Sequence, residues 1–133
     1  MQVDIGIDFS YIHENSHRSF IVAKGERLGE FEELILLCVC TLGEEAYAVR
    51  IQERLEEAAE RSTALGGIYA ALDRMERKRF VRSWVGEPTA VRGGRRKRFY
   101  AATRRGLAAL EHLRNARAHL WSRFDSSVAG AGS

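Results

Sequence analysis

The sequence predicts a mainly α chain of the α+β class, and three observations carry that expectation. From Leu28 onward, apolar residues recur at helical spacing in four separate segments. One pair of short strand-like runs lies between the third and fourth of these segments. The last helical segment is the longest, and its apolar residues keep to one stripe. Three helices, a strand pair and a long helix form the order of a winged helix-turn-helix with a C-terminal helical extension.

Residues 1–27 stand apart from this pattern. Val3, Ile5, Ile7, Phe9 and Tyr11 alternate with Asp4, Gly6, Asp8 and Ser10, which reads as a short strand or an extended arm. Asn15, Ser16 and Gly25 oppose a long helix, so 1–27 is expected to be an extended or flexible extension.

The first helix is expected over about 29–42, from Phe31, Leu34, Ile35, Cys38 and Leu42, with Gly43 as its stop. A second is expected over about 45–60, with Ala48, Ile51, Leu55, Ala58 and Ala59 on its apolar face. Arg61-Ser62-Thr63 supplies cap chemistry for a third over about 64–78, whose Leu65, Ile68, Leu72 and Met75 face inward. Residues 80–85 form a short strand, and 95–101 a second in which Lys97, Phe99 and Ala101 oppose Arg96, Arg98 and Tyr100. Gly86-Glu87-Pro88 and Gly93-Gly94 provide the turn between them. Thr103 caps a last helix over about 104–124, with Leu107, Leu110, Leu113, Ala116, Leu120 and Phe124 along its stripe. At 1.5 Å per residue such a helix is about 30 Å long. Residues 28–102 are thus expected to form the winged domain, 103–125 a dimerisation helix, and 126–133, rich in Gly, Ala and Ser, a flexible tail.

With 133 residues and 15.0 kDa, the chain suits one small domain plus an appendage. No apolar run approaches the roughly 18 residues of a membrane span, and the start, MQVDIGIDFS, lacks the basic and apolar regions of a secretory signal. The cytoplasm is the expected compartment. Cys38 and Cys40 would point about 200° apart on a helix, so they read as small core residues rather than as a metal pair.

The net charge of +3 conceals a separation. Residues 26–60 carry ten acids against three bases, while 74–105 carry twelve bases against two acids. A block that basic points to a polyanionic partner, with a solvated basic face as the plainer reading.

The third helix of a helix-turn-helix enters the major groove through its N-terminal half. Here that half contains Ala64, Gly66, Gly67 and Tyr69, preceded by Thr63. Small residues permit close backbone approach, the helix N-terminus offers N–H groups to a phosphate, and Tyr69 can donate to another. Arg74 and Lys78 follow, away from the apolar stripe. The competing reading makes the glycines a helix-packing device and Tyr69 part of the core rim. The wing segment holds five bases in seven residues, Arg92, Arg95, Arg96, Lys97 and Arg98, around a Gly-Gly hinge. That composition suits phosphate contacts. Phe99 and Tyr100 directly after it, with Trp84 opposite, argue for a folded hairpin rather than a basic tail.

So small a domain cannot bury the whole stripe of the last helix, so a second copy of the chain is expected against it. Leu110, Leu113, Leu120, Trp121 and Phe124 are the expected interface. Trp121 reads either as an interface anchor or as part of a cleft for flat aromatic molecules. His112 and His119 read as surface or interface residues.

The stretches LGEFEELILL, GGIYAALDRMERKRFVRSW and GGRRKRFYAATRRGLAAL, in this order, make residues 28–121 resemble the PadR family of bacterial transcriptional regulators. The resemblance implies a dimeric winged-helix protein that binds double-stranded DNA, usually as a repressor. It also implies a C-terminal dimerisation helix and, in some members, release of DNA by small aromatic ligands. Three positions depart from the family pattern. Ala64 stands where serine is usual, and Ala48 and Arg79 stand where glycine is usual. Arginine at a left-handed helix stop would cost about 1 kcal/mol, and without the serine the third helix needs its cap from Ser62 or Thr63 or goes without one.

One motif points elsewhere. His13-Glu14-Asn15-Ser16-His17 satisfies H-E-x-x-H, a zinc-protease pattern when carried on a helix. It lies in the extension, its flanks are not amphipathic, and no third ligand is apparent, so neither a metal site nor an enzyme is expected. The sequence calls for no cofactor. The remaining alternative to a DNA-binding regulator is a protein-interaction module on a winged-helix frame.

Overall fold

The computed structural model describes residues 27–87 and 96–131. Helix α1 spans Glu30–Leu42, α2 Ala48–Ala59, α3 Leu65–Arg77 and α4 Arg104–Ala131, and the strands are β1 Val81–Val85 and β2 Arg98–Ala102. The strands pair antiparallel, with Val81 opposite Ala102 and Trp84 opposite Phe99. This is a winged helix followed by a long helix, as the sequence predicts. The arm at 1–26, its H-E-x-x-H motif, and Arg92 and Arg95 of the wing lie outside the described residues.

Helix α1 begins with half of a capping box, since its N-cap, Gly29, has no side chain to return the bond. The Gly29 N–H donates to Glu32 Oε1 at 2.7 Å, and Glu30, Glu32 and Glu33 set negative charge in the first turn, where the helix dipole favours it. Gly43, at φ 59, ends the helix and starts a 3-10 turn, Gly43–Glu45. The second helix was expected from 45 but begins at Ala48. The reason is tertiary: the Ala46 carbonyl accepts the Tyr100 N–H at 2.9 Å, so this segment serves the sheet before the helix can start.

One core joins these elements. Ile35, Leu36 and Val39 of α1, Ile51 and Leu55 of α2, and Ile68, Leu72 and Met75 of α3 are almost fully buried, together with Phe80 and Tyr100. Cys38 is buried and Cys40 half-buried, both as free thiols, and burial pushes the Cys40 thiol up to about 11. Ala58 and Ala59, expected on the apolar face of the second helix, are exposed, because its buried stripe ends at Leu55. In β2 the expected alternation lapses. Tyr100, Ala101 and Ala102 are each 2% exposed, since the end of this strand is covered on both sides.

Two non-glycine residues hold left-handed backbone, Glu60 (φ 51) and Arg79 (φ 67). Arg79 therefore keeps the strained conformation in which glycine would be at ease. The turn is locked by its neighbours. Thr103 Oγ1 donates to the Arg79 carbonyl at 2.6 Å, the Thr103 N–H donates to the Phe80 carbonyl, and the Gly106 N–H donates to Thr103 Oγ1. Thr103 thus caps α4, as the sequence indicates, and also fastens it to the end of α3. Gly106 makes this approach feasible, because a Cβ there would stand 2.2 Å from the Phe80 carbonyl oxygen.

The apolar stripe of α4 divides. Leu107 is buried and Leu110 packs against the domain's own core. Leu110, expected at a dimer interface, is half-buried against the protomer's own core. Leu113 is half-buried, and Leu120, Trp121, Phe124 and Val128 are 67, 59, 53 and 50% exposed. The helix also runs past 125 to Ala131, into the segment expected to be a flexible tail.

Candidate nucleic-acid interface

Helix α3 places its N-terminal half at the surface. Gly66, Gly67 and Ala70 are exposed, and Tyr69 is 46% exposed. A Cβ at Gly66 would meet nothing within 4 Å, and one at Gly67 only the Thr63 methyl at 3.4 Å. The glycines therefore do not serve close helix packing, and the face they leave open is smooth. The N-cap is Ala64, with extended backbone and no side-chain hydrogen bond, so of the two outcomes open to it the helix goes without a side-chain cap. The opening N–H groups of α3 consequently lack a side-chain acceptor, which suits an incoming anion. The connection from α2 is braced by Gln52, whose Nε2 donates to the Thr63 carbonyl at 2.7 Å.

Arg74 and Lys78 are placed differently from the sequence expectation. Both turn toward the buried carboxylate of Glu32, which is 3% exposed. Lys78 Nζ reaches its two oxygens at 2.9 and 3.0 Å and also donates to the Arg27 carbonyl. Arg74 Nε reaches Glu32 Oε2 at 3.2 Å, and its side chain stays 44% exposed. Burial by itself would push the Glu32 carboxyl up. The Gly29 N–H, Lys78 and Arg74 together outweigh that effect and hold it below the ordinary carboxylate value. Lys78, at 19% exposure, is thus engaged inside the protein, whereas Arg74 keeps an outward face. Arg77, which sequence reasoning passed over, is exposed two turns beyond Tyr69; the helical spacing from 69 to 77 could have shown it.

The wing is built on aromatic side chains. Trp84 stacks on Phe99 with centroids 6.2 Å apart, and Tyr47 meets Phe99 edge-on at 5.6 Å. Lys97 Nζ lies 4.3 Å from the Tyr47 ring centroid, and the Arg82 guanidinium lies 4.9 Å from that of Trp84. The Gly86 N–H donates to the Lys97 carbonyl at 2.7 Å, and a Cβ at Gly86 would fall 2.5 Å from the Phe99 ring. Arg96, Lys97 and Arg98 are exposed. Arg98 donates to Ser83 Oγ, which in turn donates to Glu76 of α3, so the wing root is tied to the third helix. The structure thereby brings an open helix face and a cationic hairpin into one domain, and adds Arg82 and Tyr47, which the linear pattern did not single out.

The first turn of α1 fastens the rest of the chain to this face. Beyond the Glu32 cluster, Arg61 pairs with Glu30 at 3.1 Å, and Arg117 of α4 grips both oxygens of Glu33 at 2.6 and 3.1 Å. Near that grip, Arg117, Leu120, Trp121 and Phe124 line an open hollow of about 270 Å³, with Trp121 and Phe124 edge to face. Among the described residues no group of three His, Cys, Asp or Glu side chains could hold a metal, and no helix is long and apolar enough to cross a membrane.

The model of the transcriptional regulator PadR-like family matches residues 36–112. The X-ray structure of a PadR-like transcription factor from Bacteroides fragilis is 26% identical, with a TM-score of 0.56 over 74% of this chain and 86% of that one. The crystal structure of a PadR family transcription regulator from Clostridium difficile R20291 is 24% identical, with a TM-score of 0.57 over 72% of this chain and 97% of that one. At that identity the second likeness speaks for the fold alone. No curated protein matches the chain.

Proposed function

The chain belongs to the PadR-like family of transcriptional regulators, and on that premise we propose that it is a cytoplasmic, homodimeric, sequence-specific DNA-binding regulator that acts as a repressor. The observation that carries this reading is the exposed N-terminal half of α3, open at Gly66 and Gly67, in one domain with the basic strand of the wing. Helix α3 enters the major groove. Tyr69 and the free N–H groups at Ala64 and Leu65 meet phosphate or base edges, with Thr63 beside them. Arg74 contributes the part of its guanidinium that Glu32 leaves free. Arg96, Lys97 and Arg98, with Arg92 and Arg95 of the same basic run, contact the backbone across the neighbouring groove. Lys78 acts indirectly, by fixing the end of α3 against α1.

The exposed side chains Leu120, Trp121 and Phe124, continuing from the half-buried Leu113, supply a dimer interface in which α4 packs against its copy. A small aromatic effector would use the same apolar surface, stacking on Trp121 in the hollow that Leu120 and Phe124 also line, and so would compete with part of the α4 packing. Such a ligand would shift the two recognition helices relative to one another through the dimer helix, and so release DNA. The regulator has no catalytic residues and no cofactor in this reading.

The test is fluorescence anisotropy with DNA from upstream of the protein's own gene, against scrambled DNA of equal length, at two salt concentrations. A preference of about a thousandfold or more supports the regulator. The slope of log K against log salt is expected near −6 or steeper for a dimer, at about −0.9 per phosphate contact. Replacing Arg96, Lys97 and Arg98 by alanine is expected to weaken binding to both DNAs and to flatten that slope. Intact affinity after that replacement removes the wing's role, and no binding to either DNA leaves the protein-interaction module as the better account.

A further inference from the structure

We propose that Asp73 is a specificity-determining residue, its carboxylate accepting a hydrogen bond from the amino group of a cytosine in the major groove. The inference rests on the reading of α3 as the recognition helix. A helix lying in the major groove presents side chains at i, i+3, i+4 and i+7 to the bases. In α3 that set is Gly66, Tyr69, Ala70 and Asp73, and all four are exposed. Gly66 offers no side chain and Ala70 only a methyl group. Tyr69 and Asp73 are therefore the two members of the set able to hydrogen-bond with a base.

Asp73 also has no cationic partner among the described residues, and burial, with the Asp73 charge adding to it, pushes the Tyr100 phenol up to about 12. Other carboxylates near this helix have partners: Glu32 holds Lys78 and Arg74, and Glu76 accepts from Ser83. Asp73 makes no hydrogen bond or ion pair among the described residues. An unpaired carboxylate on a surface that meets phosphates is repulsive, so it weakens binding to DNA in general. It becomes favourable where it meets a donor on a base edge. The major groove offers two such donors, cytosine N4 and adenine N6. Guanine presents only acceptors there, thymine an acceptor and a methyl group, and adenine sets the N7 acceptor beside its amino group, against a carboxylate's second oxygen. Cytosine is the base that an ionised carboxylate accommodates best.

The experiment measures the operator preference of the full chain and of Asp73→Ala and Asp73→Asn by selection from a randomised duplex library, followed by anisotropy on single-base variants of the selected site. Because Asp73 is exposed, both variants should keep the wild-type circular dichroism spectrum. Wild-type protein should select cytosine at one position in each half-site. Asp73→Ala should lower that preference by about fivefold to tenfold, the lower end of what one base contact discriminates, with the other positions unchanged. Asp73→Asn should move the preference at the same position toward adenine, which an amide can pair through N6 and N7. If both variants bind every sequence more tightly with base preferences unaltered, Asp73 is merely repulsive and the proposal is overturned. If the wild-type protein discriminates no sequence at all, the regulator reading itself fails, and that outcome is distinct from a failure confined to Asp73.

Discussion

Replacing Glu32 by glutamine tests how α3 is held against α1. The carboxylate lies in the first turn of α1 with its side chain 4% exposed, and it accepts from the Gly29 N–H, from Lys78 at both oxygens and from Arg74. Glutamine keeps the shape and can still accept from Gly29. It removes the negative charge and points an amide N–H₂ at two cations. Breaking a fully buried ion pair costs about 3–5 kcal/mol. Here Arg74 is 44% exposed, so solvent takes over much of its share, and the loss rests mainly on Lys78 at 19% exposure. The expected cost is about 2 kcal/mol, a substantial part of the roughly 5–15 kcal/mol that stabilises a small domain.

Urea unfolding followed by circular dichroism measures this cost, and its pH dependence adds a second check. The carboxyl is held below its ordinary value of 4.5 in the folded chain. Its stabilisation is therefore complete above that value and is lost as pH falls through the lower, folded-state value. The gap between wild type and Glu32→Gln should be full near neutrality and should close on acidification, as the pH falls through the lowered value at which the native carboxylate takes up its proton. A gap smaller than about 0.5 kcal/mol at neutral pH, or one that persists unchanged in acid, would refute the assignment, since surface changes away from such features fall within that range.

Three further outcomes follow from the packing. Gly106→Ala would force a methyl group to 2.2 Å from the Phe80 carbonyl oxygen, so despite its better helix propensity it should lower stability by about 1–3 kcal/mol, read from the urea midpoint. Arg79→Gly should do the reverse: relief of backbone strain at φ 67, reduced by glycine's greater unfolded-state entropy, should raise stability by about 0.5–1 kcal/mol, read as a higher thermal midpoint. Trp121→Glu with Phe124→Glu alters side chains 59 and 53% exposed in the protomer, so the chain should stay folded while sedimentation shows a monomer and operator affinity drops.

The order of elements was legible because each is specified locally. Ile35, Leu42, Ile51, Leu55, Ile68, Leu72 and Met75 fall at helical intervals, and each is buried at the position its spacing implies. Turn chemistry at Gly43 and the cap at Thr103 set boundaries that the structure keeps. The start of α2 was misjudged because its determinant is the hydrogen bond from Tyr100 to Ala46, made by a strand more than fifty residues away. The open face of α3 was legible from its small residues, but a choice between solvent and helix packing required seeing that nothing lies opposite Gly66.

The amino-acid sequence by itself determined the winged-helix order, the family, the separation of acidic from basic segments and the apolar stripe of the last helix, because these depend on periodicity and composition along the chain. The tertiary structure alone decided which charges stay free at the surface. Lys78 reads as a phosphate ligand until Glu32, forty-six residues earlier, is found beneath it, whereas Asp73 reads as one more surface acid until its place on the open face is known. It decided equally that Leu110 packs partly against the protomer's own core and that Leu120, Trp121 and Phe124 remain outside it. The reason is physical. Burial within one element follows from a local repeat, but the pairing of two charges, or the partner of an apolar side chain, is set by how separate elements meet in space.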